Sequence, residues 1–261
     1  MSGPALAARW SRSVPALRES ALRVAYLRAE LRHRPLVDVA VALDALCGRA
    51  EQADPVAREI LGAAVTALAA PTLGDLADAL RRLADHEALL PLGRLLRRRP
   101  RGEPAPEPPP PIDERTLATS STGRVLTLGE RRALARRPSR AALDKLLRDP
   151  HPMVVQNLLQ NPRLTEDDVV RMVARRPAYP AVIAEIARHP RWSQRTRVRM
   201  AIVQNPGAPP ELAVPLVRLL IRPELVQVVE AADVPGVVRA AASELLERRP
   251  PVPERREGEP Q

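Results

Sequence analysis

The chain holds 261 residues, with 41 basic against 31 acidic side chains and a formal net charge of +10. Its apolar share of 45% allows a sizeable core, yet aromatics supply only 2%: Trp10, Trp192, Tyr26 and Tyr179, with no Phe. That composition argues against a sandwich or barrel built on aromatic and β-branched residues and for close-packed Ala/Leu helices, and the single cysteine, Cys47, excludes an intrachain disulfide framework or a thiolate metal site.

Residues 1–99 are expected to form an N-terminal helical domain, a small bundle or stacked helical hairpins. "VPALRESALRVAYLRAEL" sets Leu17, Leu22, Val24, Leu27 and Leu31 near helical spacing. "LVDVAVALDALCG" follows Pro35 and reads as a helix capped by Gly48. "DPVAREILGAAVTALAA" opens on Asp54 as N-cap with Pro55 at the first helical position. "TLGDLADALRRLADHEALL" sets Thr72 and Asp75 at capping-box spacing. Residues 100–123 are expected to be a Pro-rich linker, an extended spacer whose proline run cannot continue a helix.

Beyond the linker a repeat emerges. Prolines 138, 150, 162, 177, 190, 206 and 223 close the strings "LARRP", "LLRDP", "LLQNP", "VARRP", "IARHP", "IVQNP" and "LLIRP". Each string carries an apolar residue four places before proline and a polar one immediately before it. Proline and the restriction on its predecessor end a helix, and the spacing leaves room for two or three turns and a corner. Asp149, Asn161 and Asn205 are expected to cap the helices that follow, Thr165 with Asp168 reads as a further start signal, and Glu211 suits a first turn. Helices this short need neighbours for stability, which is the logic of a solenoid over residues 124–249. The remaining "PPVPERREGEPQ", 250–261, is expected to be a disordered tail.

"LLQNPRLTEDDVVRMVARRP" and "AIVQNPGAPPELAVPLVRLL" resemble the leucine-rich repeat variant, a bacterial helical repeat related in shape to HEAT and armadillo solenoids. The resemblance covers about residues 128–249 and implies a binding surface with no particular reaction. An iron–sulfur cluster is described in that family on a separate cysteine-rich segment, and the lone Cys47 leaves no place for one here.

No nucleotide-binding glycine loop, HExxH or HxH pattern occurs, and His33, His86, His151 and His189 are dispersed. The chain is therefore expected to be non-enzymatic and to need no cofactor or metal. The candidate binding residues lie in "ARHPRWSQRTRVRM": Arg188, Arg191, Trp192, Arg195 and Arg199. If the helix continues beyond Pro190, Arg191, Arg195 and Arg199 share one face, where like charges repel and stability gains nothing. An aromatic beside arginines suits an acidic partner, phosphate or stacked bases. Residues 138–222 hold 14 basic and 7 acidic groups, and 223–261 reverse the sign with 5 against 8. The expected function is a scaffold that binds a partner protein, an acidic one being favoured by this charge; the alternative is a nucleic-acid-binding solenoid. No segment reads as a membrane span or a secretory leader, so a cytoplasmic site is expected.

Overall fold

The computed structural model describes residues 2–98, 111–112 and 117–249. The expected disordered tail, and the proline run of the expected linker up to residue 110, lie outside the described residues. Among the described residues the chain is all-helical, with fifteen α-helices in a repeat-like arrangement packed against one another and one isolated bridge between Thr119 and Val125.

Six helices form the N-terminal half: α1 (Gly3–Ala16), α2 (Ser20–His33), α3 (Leu36–Glu51), α4 (Pro55–Leu68), α5 (Gly74–His86) and α6 (Leu90–Leu95). α4 is apolar around most of its circumference, with Gly62, Ala63, Ala64 and Ala67 all buried. A helix of that kind must be surrounded, and small side chains let its neighbours approach. α1, α2 and α3 pack on it. Asp54 caps it as expected, its carboxylate accepting from the Val56 and Ala57 amides at 2.9 and 3.0 Å.

Several local expectations give way to packing. α1 and α6 have no clear signal in the sequence, since Pro4, Pro15 and Pro91 look like breakers; Pro4 and Pro91 sit in first turns, and Pro15 falls in the last turn of α1. α3 runs past Gly48 to Glu51, so Gly48 is no cap. Thr72 lies in a 3₁₀ turn (Pro71–Leu73) and accepts from Arg32 at 2.7 Å, so α5 starts without the expected capping box. Val24, Leu27 and Leu31 are buried, whereas Leu22 is 51% exposed.

Before the repeats, Leu126 and Ser120 close a hydrogen-bonded turn with Ala118 and Arg124, and Gly123 occupies its tip at φ +80°. That positive φ is one glycine reaches without strain. The C-terminal part of the expected linker is therefore ordered, with Ala118 buried.

The repeat half contains α7 (Leu128–Ala135), α8 (Arg140–Leu146), α9 (Pro152–Leu159), α10 (Glu166–Ala174), α11 (Pro180–Arg188), α12 (Thr196–Val203), α13 (Pro210–Val217), α14 (Arg222–Glu230) and α15 (Gly236–Arg248). α9 packs between α7 and α11, and α10 packs on α12, so alternate helices form two rows. α11 and α13 of the first row lie against α4.

The polar residue before proline does more than end a helix. Asn161 Oδ1 accepts from the Arg163 amide at 3.0 Å while its Nδ2 donates back to the Ala135 and Arg137 carbonyls at 2.7 and 2.8 Å. Asn205 repeats this geometry, accepting from Gly207 and donating to the Val173 carbonyl. Asp149 accepts from the His151 amide at 2.9 Å and from Arg131 at 2.6 Å. The expected N-caps are thus turn residues: α9, α10 and α13 begin several residues later, and each buried side chain bridges to an earlier helix instead. Asn161 and Asn205 satisfy carbonyls left open at a helix C-terminus, while Asp149 holds the Arg131 guanidinium of α7. Thr165 and Asp168 do form the expected capping box of α10.

Both halves share one apolar core running from Leu6 to Leu245. Their seam is hydrogen-bonded as well. Thr66 and Ser193 hydroxyls meet at 2.9 Å, and Gln194 donates to the Gly62 carbonyl and to Thr66, each at 3.0 Å. A Cβ at residue 62 would stand 2.7 Å from the Gln194 side-chain Oε1, so Gln194 would have to turn away from it. The deepest tie is ionic. Glu51 takes two bonds from Arg94 at 2.9 and 2.6 Å and a third from Arg218 at 2.9 Å. Arg249, at the end of α15, donates to the Ala50 and Glu51 carbonyls that close α3.

Candidate functional site

The five expected binding residues occupy four different settings. α12 begins at Thr196, so Arg191 and Arg195 precede it in a turn, and the expected row of Arg191, Arg195 and Arg199 on one helix face does not form. Proline at 190 ends α11 two residues earlier, and the 192–195 segment turns inward to bury Ser193.

Trp192 is 1% exposed, and its indole N–H donates to the Leu159 carbonyl at 2.9 Å. It fills the core between successive repeats and satisfies the last residue of α9. The Arg191 guanidinium lies 4.3 Å from the Trp192 ring centroid and stacks on it from outside. Arg195 is exposed at the N-cap of α12. Arg188 turns toward the N-terminal half, where its Nε donates to the Ala69 carbonyl at 2.8 Å. It rims a groove of about 200 Å³ whose apolar floor comes from α4 and α13. Arg199 points to another cleft, beside Arg58 and Gln194. Arg197, also in this arginine run, pairs with Asp167 at 2.6 Å.

His189 adjoins this cluster. Burial, and then the charge of Arg191, push its imidazole down to about 4, and its Nδ1 accepts from the Arg191 amide at 3.3 Å. The folded chain therefore refuses a proton that the unfolded chain accepts between roughly pH 6.5 and pH 4. The unfolded state binds more protons in that window, so stability should fall as pH drops through it. Thermal midpoints measured from pH 7.5 to pH 4.5 are expected to decline, and the His189→Gln variant should show a shallower decline. Equal slopes would remove His189 as the cause.

An open concavity of about 680 Å³ on the second row spans α10, α12 and α14. Half-buried Val170, Met200, Ala201 and Ala231 pack on the core beneath it. Arg176 and Arg197 enter from the α10–α12 side, while Glu224 and Asp233 enter from α14 and the turn after it. Asp168 fixes the start of α10: its fully buried carboxylate receives Arg140 and Arg171 at 2.6 Å. The Arg140 bonds, opposed by burial, hold it well below the usual carboxylate range. The groove was not legible in the sequence, because its lining comes from α10, α12, α14 and the corners after them, stretches that no local pattern joins.

Among the described residues no group of three or more His, Cys, Asp or Glu side chains is placed to hold a metal ion. Cys47 is buried, and desolvation raises its thiol far above the ordinary value, so it packs as a small apolar residue. No single helix among the described residues is long and apolar enough to cross a membrane. No protein-family model matches the chain, and no curated protein or solved structure is detectably similar to it.

Proposed function

We propose that the chain is a non-enzymatic interaction protein, an α-solenoid of the leucine-rich-repeat-variant or HEAT kind, that holds a partner polypeptide in the groove across α10, α12 and α14. The groove itself carries the reading: an apolar floor from α10, α12 and the C-cap of α14, with basic groups at one side and acidic groups at the other. Stacked repeats expose such continuous surfaces, and side chains from a helical or extended segment can fill them. The recurrent back-bonding of Asp149, Asn161 and Asn205 supports the repeat assignment, because each polar-Pro corner ties its helix to an earlier one. The charge reversal across the groove favours a segment that presents acid toward Arg176 and base toward Asp233.

Nucleic-acid binding is the second reading, and the charge of residues 138–222 is its support. It is the weaker one, since the buried Trp192 offers no face to a base and only Arg191 and Arg195 of the five residues stay exposed.

A photoactivatable crosslinking residue placed at Gln204 or Gln227, both on the groove, should capture one discrete polypeptide in cells. The same residue at exposed Gln52 should not, and Met200→Glu should abolish the adduct. Equal capture at all three positions, or capture of nucleic acid, would reject this reading.

A further inference from the structure

A separate cleft of about 300 Å³ opens on the seam between the two halves. Ser20 and Arg23 of α2, Arg58 and Glu59 of α4, Gln194 and Arg199 line it. Three guanidiniums thus converge from three elements onto one recess. Glu59 is engaged with Arg23 as an ion pair. Neither Arg58 nor Arg199 has a carboxylate oxygen within 4.0 Å among the described residues. Arg58 is held in place by donating to the Leu219 carbonyl at 2.5 Å, and Arg199 by donating to the Thr196 hydroxyl at 3.1 Å. Each thus spends a bond on positioning and keeps its charge without a counter-ion. Glu224 is the other acid whose field reaches both, but it lies beyond 4.0 Å from either guanidinium, with its carboxylate accepting from the Ile221 amide at 2.7 Å.

Two half-buried guanidiniums side by side, without their own carboxylates, cost the fold through desolvation and mutual repulsion. Desolvation lowers the proton affinity of both, and at Arg199 the charge of Arg58 adds to it. Elsewhere at this seam buried arginines have partners: Arg94 and Arg218 share Glu51 as counter-ion, and Arg249, also desolvated, donates to several carbonyls.

We propose that this cleft binds a small molecule through a phosphoryl group, clamped between Arg58 and Arg23 on one side and Arg199 on the other. Guanidinium forks approaching from different elements match a tetrahedral group with three free oxygens better than a planar carboxylate with two. Three guanidiniums gathered on one small recess suit a terminal phosphoryl group better than the running backbone of a nucleic-acid strand. Because α2 and α4 belong to one half and α12 to the other, the bound anion bridges the seam and stabilises the assembled fold.

The test uses the whole chain with sodium pyrophosphate as probe, ionic strength being held constant with sodium chloride. A saturable rise in the unfolding midpoint is expected, roughly 5–10 °C at a hundredfold excess over Kd. Arg58→Gln and Arg199→Gln should each weaken pyrophosphate binding about tenfold or more, the loss of a charge-assisted bond, while exposed Arg195→Gln should leave it unchanged. In the unmutated chain, pyrophosphate should protect Arg58 and Arg199, and not Arg195, from phenylglyoxal, read by peptide mass spectrometry; this arm does not depend on the variants folding. No saturable shift, absence of that protection, or affinity unchanged in both variants would overturn the proposal. So would binding of a single-stranded oligonucleotide without any binding of pyrophosphate.

Discussion

Glu51→Ala is expected to destabilise the chain by about 3–5 kcal/mol, the range for removing one partner of a buried ionic group. Its carboxylate accepts from two guanidiniums, Arg94 and Arg218, whose side chains are 9% and 4% exposed, while Glu244 lies farther off, 3.9 Å from Arg94 Nε. Removing it leaves two buried positive charges facing each other, and Arg218 already carries two buried nitrogens without a partner. Desolvation has lowered the proton affinity of Arg218, and that of Arg249 nearby to about 10, so the region has little tolerance for further unbalanced charge. The residues involved come from α3, α6 and the C-cap of α13, so the loss should be felt as separation of the halves as well as lower stability. In urea unfolding, a single transition in the parent chain and a broadened or split one in Glu51→Ala would support this. The double variant Glu51→Leu, Arg218→Met is expected to recover part of the loss, since replacing a buried ion pair by apolar groups of like volume is often neutral. A Glu51→Ala penalty below about 1 kcal/mol, the usual value for an exposed pair, would show that water reaches this site.

Trp192→Ala should cost about 3–5 kcal/mol, through lost transfer energy and the cavity left behind. The ring is among the largest fully buried side chains, and its N–H is the partner of the Leu159 carbonyl. Trp192→Phe should retain most of the packing and lose about 1 kcal/mol for that one hydrogen bond. A surface role for the indole predicts the opposite order: both substitutions would leave stability within about 0.5 kcal/mol and would impair binding equally. Denaturation of the three chains side by side separates these outcomes. Arg191→Ala is a useful companion, because Arg191 covers the ring yet is itself exposed.

These effects arise where sequence and tertiary structure part company. "ARHPRWSQRTRVRM" looks like a basic helix face with an aromatic beside it. The fold ends α11 before Pro190, winds the next residues into a turn, and starts α12 at Thr196. A shift of that kind redistributes every side chain, since facing on a helix depends on an unbroken period. Trp192 goes inward, Arg188 and Arg199 go to different clefts, and only Arg191 and Arg195 stay outside. Arg58, which meets Arg199 in the seam cleft, is 141 positions away in the sequence; no local pattern joins them.

The all-α class and the helix–proline rhythm of the C-terminal half are readable from residue order alone. Both follow from short-range physics: Ala and Leu favour helix, aromatics are too few for a β core, and proline denies the amide that a helix interior needs. Asp54 and the Thr165–Asp168 box were legible for the same reason, because a cap acts within one turn. The folded structure alone shows which arginines meet, that the corner residues Asp149, Asn161 and Asn205 reach back to earlier helices, and that Glu51 joins α3 to α6 and the C-cap of α13. Those contacts depend on how α4 is surrounded and how closely Gly62 lets Gln194 approach. Such choices are made by packing between distant segments, where burial outweighs local preference.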